Sequence, residues 1–510
     1  MRHTRSLKHR LARIAGTALL PAALAVGVGA NPASADSTAS MQSAARAAGT
    51  GAGSGPVWSG CAGGECGTLT VPLDYTKPGA GSIRLALFRI RATDRRHRIG
   101  SLVFNYGGPG GPGVETLREA RRAMAPALRA RFDLVTWDPR GTGSNAVRCG
   151  RPFGRLEDSP SAAPRTTAQR RALRRLVLAA VRSCQRKTGR LLLHVGTVDT
   201  ARDLDRVRAA VGDERLTYVG YSYGTFIGQV YASLFPRRVR AMVLDGVDDE
   251  LGDPVAMLVR GVRGNERVLD AFLAACATDS RCAFHNGGRP ARAFDALAAR
   301  ILAHPLRVRA RQLGATQFVW GVRIPLYSGK DGYGLLARAL AAAQAGDGRL
   351  LLAIHDAVFD RQADGTYGTL LTTGIATNCD DKVKPVSPGP RLSNRLKQIA
   401  PHFGRLLAAT SDGGIDICRL WPAAPNPPKP PIRAPGAPPI VLIGTIDDVA
   451  TPYEDAVAVA HRLISGVLVT NPGRTHTSNA GSATSPCNQI AIPYLISLSV
   501  PRVGARCARS

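Results

Sequence analysis

Three stretches of the chain carry residues that could do acyl-transfer chemistry together. The first is Gly220-Tyr221-Ser222-Tyr223-Gly224, preceded by the β-branched and aromatic run Leu216-Thr217-Tyr218-Val219 and followed by Thr225-Phe226-Ile227. Strand, Gly-x-Ser-x-Gly, then helix is the context of a nucleophile elbow, where the serine backbone is strained and the flanking glycines remove side chains that would collide. The helix behind the turn places partial positive charge near Ser222, which favours a developing anion. The second stretch is Gly107-Gly108-Pro109-Gly110-Gly111-Pro112-Gly113, directly after the apolar run Ser101-Leu102-Val103-Phe104-Asn105-Tyr106. Such a loop brings bare backbone N–H groups to a ligand. Together with the N–H of Tyr223, the N–H of Gly107 or Gly108 would hold an oxyanion.

The third stretch supplies the base and its acid. In this class of site the chain order is serine, acid, histidine. Two histidines lie late enough. His461 sits in the helical run Ala456–Leu463, whereas His476 lies in Pro472-Gly473-Arg474-Thr475-His476-Thr477-Ser478, a loop beyond the last apolar strand. His476 is therefore the expected base, taking the Ser222 proton and returning it to the leaving group. Asp447 and Asp448 both follow the strand-like Ile440-Val441-Leu442-Ile443-Gly444. Thr451-Pro452-Tyr453-Glu454 reads as a capping box with proline at the first helical position, which fixes where the next helix starts. Adjacent side chains in an extended loop point in opposite directions, so one of the two aspartates faces His476.

The elements that must position these groups alternate. Strand-like runs at 83–87, 101–106, 132–137, 216–221, 239–246, 440–444 and 466–470 are separated by helical periodicity, as in the helix opened by Asp199-Thr200-Ala201. The fold class that follows is α/β, an α/β-hydrolase-type core with a mostly parallel central sheet. After about residue 250 the pattern changes, and 254–305 and 332–360 read as amphipathic helices without intervening strands. The expected organisation is a core from residues 61–250 and 436–510, with an inserted, mainly helical cap at 251–435.

Residues 1–35 read as a secretory signal. Arg2, Arg5, Lys8, Arg10 and Arg13 precede an apolar stretch, and Ala33-Ser34-Ala35 fits a cleavage site. Residues 36–60, rich in Ala, Ser and Gly, read as a flexible leader. No later run offers about 18 uninterrupted apolar residues, so a secreted, extracellular protein without stable membrane insertion is expected. The 67 Lys and Arg against 37 Asp and Glu give a net charge of +30, about +25 without the five signal cations. Aromatic residues are 5% and the arginines form no recognition motif, which argues against nucleic acid as a partner. The ten cysteines fall as neighbours, Cys61/Cys66, Cys149/Cys184, Cys276/Cys282, Cys379/Cys418 and Cys487/Cys507. In an exported chain these imply five sequential disulfides. No Cys-x-x-Cys or His-Glu-x-x-His occurs, so neither a metal nor another cofactor is expected.

Taken together, these stretches identify a resemblance. Asn105-Tyr106-Gly107-Gly108-Pro109-Gly110, Asp138-Pro139-Arg140-Gly141-Thr142-Gly143-Ser144, Gly220–Thr225, Ala450-Thr451-Pro452-Tyr453, and His476 ahead of Cys487 resemble the exported bacterial tripeptidyl aminopeptidases. These belong to the α/β-hydrolase clan that includes prolyl aminopeptidases, and the resemblance covers roughly residues 60 to 507. It implies a metal-free serine exopeptidase that releases short peptides from free N-termini. The family's Asp-x-x-Thr-Pro arrangement matches Asp448, which becomes the expected acid beside Ser222 and His476. Asp381, in Asn378-Cys379-Asp380-Asp381, resembles a family position beside a cap cysteine and is the expected carboxylate for the substrate ammonium. The chain departs from the pattern at Tyr106, where prolyl aminopeptidases commonly carry histidine, and in having two adjacent aspartates at the acid loop. An esterase or amidase on small acyl substrates would use the same machinery, and a non-catalytic binding protein would keep only the scaffold.

Overall fold

The computed structural model describes residues 55–159, 164, 166–381, 389–411, 415–422 and 429–508. The expected signal segment lies outside them, as do parts of the leader and of the proline-rich segment before residue 439. Among the described residues nine strands form one sheet in the order β1-β2-β3-β5-β4-β6-β7-β10-β11. They are β1 (Ser59–Cys61), β2 (Gly64–Pro72), β3 (Ser82–Ile90), β4 (Gly100–Asn105), β5 (Phe132–Trp137), β6 (Leu216–Tyr221), β7 (Val239–Asp245), β10 (Ile440–Thr445) and β11 (Gly466–Asn471). β1 to β3 run antiparallel at one edge, and β5, β4, β6, β7, β10 and β11 run parallel. The leader ends earlier than residue 60, because Ser59 and Gly60 already pair with Cys66 and Glu65.

The parallel strands are buried on both faces, and their alternation divides the core in two. Val103, Tyr218, Leu244 and Leu442 face the helices Thr197–Ala210, Tyr223–Leu234 and Tyr453–Arg462. Phe104, Val219, Val243 and Ile443 face Gly113–Ala120, Pro126–Arg131 and Asn488–Ser497. The Asp138–Ser144 loop is anchored by Arg140. Its guanidinium is fully buried, donates to both carboxylate oxygens of Asp203 at 2.7 and 2.8 Å, and reaches the carbonyls of Leu73 and His194.

A third apolar cluster holds the cap together, with Leu269, Phe272, Phe294, Phe318, Leu340 and Leu351 among its members. It also takes in Val147, Phe153, Val177, Val181, Leu192 and Val195, which the expected boundary at residue 251 assigned to the core. The physical reason is the helix Thr167–Thr188. Its cations point outward, and its stripe of Val177, Ala180, Val181 and Cys184 is buried in this cluster, with the helix packed on Gly150–Glu157, Gly189–Leu193 and Ile417–Leu420 instead of the sheet. The insertion is not purely helical either. A two-stranded hairpin, β8 (Leu306–Val308) with β9 (Arg311–Leu313), separates two of its helices. The structure joins the cysteines as Cys61–Cys66, Cys149–Cys184, Cys276–Cys282, Cys379–Cys418 and Cys487–Cys507.

Candidate active site

The C-terminal ends of β4, β6, β7, β10 and β11 share one edge, and every candidate residue of the core lies in a turn beyond that edge. Ser222 follows β6 with φ 54° and ψ −128°, a conformation that side-chain-bearing residues rarely adopt. The turn is closed by sterics. A Cβ on Gly220 would lie 2.5 Å from the carbonyl of Gly224, and one on Gly224 would lie 2.7 Å from the carbonyl of Asn105. The N–H of Ser222 donates to the carbonyl of Asp245 at 3.0 Å, which ties the elbow to the neighbouring strand β7.

The glycine loop lies against the elbow. A Cβ on Gly107 would sit 3.0 Å from the Tyr223 nitrogen and 3.1 Å from Ser222 Cβ, so only bare backbone fits there. Gly107 and Gly108 were equal candidates as oxyanion donors, but the Gly107 N–H already donates to Asn105 Oδ1 at 3.0 Å. That leaves Gly108 on this side. Tyr223 opens the helix Tyr223–Leu234, and a first-turn N–H has no intrahelical acceptor.

The acid loop orients Asp448 and not Asp447 toward the histidine. Asp448 Oδ1 and Oδ2 lie 2.9 and 3.0 Å from His476 Nδ1, so the acid engages that ring nitrogen and not Nε2. The carboxylate is fully buried and also accepts from Ala450 N, Thr451 N and Thr451 Oγ1 at 2.7, 3.0 and 2.9 Å. The expected capping box does not form. The helix starts at Tyr453 without a side-chain cap, because the Thr451 hydroxyl is spent on Asp448. Asp447 points the other way and accepts from Arg474 Nε at 3.1 Å. His461 stays on its helix.

Burial alone would raise the Asp448 carboxyl, but the charge and hydrogen bond of His476, with the backbone donors, hold it below the ordinary aspartate range. Burial likewise pushes the His476 imidazole down. The charge and hydrogen bond of Asp448, with the charge of Asp245, outweigh it and raise His476 above its ordinary value. The cap reaches this histidine as well. The carbonyl of Tyr327, just past the cap helix Ala315–Leu326, accepts the His476 N–H at 2.9 Å, and the two rings pack with centroids 5.1 Å apart. On the same helix, Arg323 donates to the carbonyl of Val449, next to Asp448.

Asp381 lies near the elbow through a short relay. Its carboxylate accepts from the Thr197 N–H at 3.0 Å and from the Thr197 hydroxyl, which in turn lies 2.5 Å from the Tyr223 hydroxyl. Two acids that the sequence reading passed over act on it or beside it. Asp248 donates its N–H to Thr225 Oγ1 at 2.9 Å, and Glu250 keeps Oε2 buried without a hydrogen-bond partner among the described residues. Burial first, then Asp248 and Asp381, push the Glu250 carboxyl well above its ordinary value, with Lys429 opposing them. Asp248, Glu250 and Asp381 thus set three carboxyl groups against the one ammonium of Lys429 in this corner. The available signal was the run Asp248-Asp249-Glu250 directly after β7, at the sheet edge where ligands gather. Asp249 itself is occupied by Arg462 at 2.6 Å.

A family model described as the alpha/beta hydrolase fold matches residues 100–286, and one described as TAP-like protein matches residues 405–507. Serine protease Hip1 of Mycobacterium tuberculosis is 34% identical over 87% of this chain and 87% of its own. A tripeptidyl aminopeptidase of Streptomyces lividans is 32% identical over 80% of this chain and 76% of its own. Carboxylesterase B of Mycobacterium tuberculosis is 31% identical over 87% of this chain and 86% of its own. Among the described residues no helix is long and apolar enough to cross a membrane. The chain belongs to the bacterial tripeptidyl aminopeptidase family and is a serine hydrolase of the α/β-hydrolase fold.

Proposed function

We propose that the protein is a secreted serine exopeptidase that releases short peptides, tripeptides in particular, from free N-termini. The protease and aminopeptidase relatives support the peptidase reading. The observation that carries the free N-terminus is the acidic corner of Asp248, Glu250 and Asp381, one relay away from the residue after the nucleophile. An α-ammonium seated there would be paired instead of leaving partly buried carboxyl groups uncompensated. Asp381 supplies the carboxylate already engaged by Thr197, and Glu250 the one with an open oxygen.

In the reaction, Ser222 Oγ attacks the scissile carbonyl while His476 Nε2 takes its proton. Asp448 fixes the imidazole with Nδ1–H toward itself and stabilises the imidazolium. The N–H groups of Tyr223 and Gly108 hold the oxyanion. His476 then protonates the leaving amine; a water deprotonated by the same nitrogen attacks the acyl-enzyme ester, and the acyl–Oγ bond breaks as the proton returns to Ser222, freeing the peptide acid. Five disulfides agree with an extracellular location. Turnover of a tripeptide anilide, its N-acetylated form, a single-residue anilide and a p-nitrophenyl ester tests the proposal. Preference for the free-amine tripeptide is expected. The second reading, an esterase on small acyl substrates, is favoured by the carboxylesterase relative. It predicts ester turnover with no free-amine requirement.

A further inference from the structure

We infer that Asp245 is a positioning residue that holds the nucleophile and the general base in register; this deepens the serine-hydrolase reading and rests on it. Asp245 ends β7, the strand beside β6, which leads into Ser222. Its main chain faces the elbow, where its carbonyl accepts the Ser222 N–H at 3.0 Å. Its side chain faces the histidine loop. One carboxylate oxygen accepts from Ser478 N at 2.8 Å, and the other from Ser478 Oγ at 3.0 Å and Ala480 N at 2.9 Å. A single residue thus bonds the loop of the nucleophile with its backbone and the loop of the base with its carboxylate.

The histidine loop needs such a hold. Thr477 and Asn479 have φ of 69° and 61°, left-handed values disfavoured for residues that carry side chains. A backbone of this kind persists where its surroundings over-determine it. The Asp245 bonds fall on Ser478 and Ala480, the residues on either side of Asn479. His476 enters the loop from the other end, fixed by the Tyr327 carbonyl and by Asp448. Asp245 is fully buried, so water cannot replace a lost bond there. Burial pushes its carboxyl up to about 6, against the pull of the Ala480 and Ser478 donors and the His476 charge.

Asparagine at this position keeps the volume but offers one acceptor oxygen against three donors, so its NH₂ must face a donor. The expected result for Asp245→Asn is a folded protein whose kcat and rate of inactivation by a fluorophosphonate both fall by about 10- to 100-fold, while KM changes less than about twofold. Ser478→Ala removes one of the three bonds and leaves the buried charge alone. Its kcat should fall about three- to tenfold, again with KM unchanged. The fluorophosphonate reads the serine and histidine whatever the peptide preference. A wild-type protein that resists it overturns the serine-hydrolase reading and this inference with it. A reactive wild type beside a folded Asp245→Asn within threefold of it in both rates overturns this inference alone. Should Asp245→Asn not fold, Ser478→Ala decides: an unchanged kcat overturns the inference, and a reduced kcat at constant KM supports it.

Discussion

Replacing Asp448 by asparagine tests the proposed mechanism at its most constrained point. The carboxylate presents two oxygens to five donors: His476 Nδ1, Ala450 N, Thr451 N, Thr451 Oγ1 and, at 3.4 Å, Thr477 N. An amide retains one oxygen, which the two backbone donors Ala450 N and Thr451 N claim, since Oδ1 serves both in the native protein. The NH₂ then occupies the Oδ2 side. It can donate to the rotatable Thr451 hydroxyl, but beside the imidazole it favours a bare Nδ1 and a proton on Nε2. That is the wrong tautomer for a base that must accept the serine proton at Nε2. Loss of the orienting acid costs about 10⁴ in kcat in triads of this type, or about 5.4 kcal/mol of transition-state stabilisation. Folding should suffer far less, because the volume and four of the five contacts can be re-made. Asp447→Asn is the matched control. It weakens a pair with Arg474, whose side chain is 45% exposed, and such a pair contributes on the order of 1 kcal/mol or less. Its kcat should stay within about threefold of wild type. The assay is kcat on a tripeptide anilide, with circular dichroism and thermal melting on each variant. A near-normal Asp448→Asn beside a crippled Asp447→Asn would refute the reasoning outright.

Other expectations follow from the same geometry. Ser222→Ala should abolish fluorophosphonate labelling, and persistent labelling would move the nucleophile elsewhere. Because the neutral imidazole is the active form and Asp448 raises its pKa, kcat/KM should climb with pH with a midpoint above 6.5; a profile flat from pH 5 to 8 would exclude His476 as base. Glu250→Gln and Asp381→Asn should each raise KM for free-amine peptides, by about tenfold for one lost charge pairing, and leave p-nitrophenyl ester turnover unchanged. An unchanged KM in both variants would remove the acidic corner from substrate binding. Gly220→Ala should lower the yield of folded protein sharply, since its methyl would stand 2.5 Å from the Gly224 carbonyl; a stable, active Gly220→Ala would contradict the elbow geometry.

What the sequence conveyed, and what it did not, divides along a physical line. The elbow was legible because its requirements are local: two glycines, one serine, a strand and a helix within eleven residues. The sheet was legible because strands buried on both faces read as continuous apolar runs. The family's Asp-x-x-Thr-Pro arrangement points to Asp448, and it is the residue that faces His476. The supposed cap was a different interaction, however, since Thr451 bonds the aspartate instead of the helix. Spacing survived where the assigned bond did not. The bond from the Gly107 N–H to Asn105 Oδ1 was not legible, because it depends on a rotamer that no pattern encodes. The acidic corner joins residues 248, 250 and 381 through folding alone. Val147, Phe153, Val177, Val181, Leu192 and Val195 precede residue 251 in sequence yet join the cluster of residues beyond it, and helical periodicity reports that a stripe is buried without reporting against what.

The bond from the Tyr327 carbonyl to the His476 N–H has a consequence for how this scaffold can be re-engineered. Caps of α/β hydrolases invite exchange, because they shape the substrate while the core does the chemistry. Here the seam runs through the proposed base itself. The segment from Arg323 to Gly329 touches Val449, Arg474 and His476, so it belongs to the catalytic framework although it is continuous with the cap. A chimaera that took a relative's cap between the ends of β7 and β10 would import a foreign backbone beneath the histidine. One that transplanted the cap but kept residues 323–329 native would replace the remainder of the cap and keep the Tyr327 carbonyl on His476.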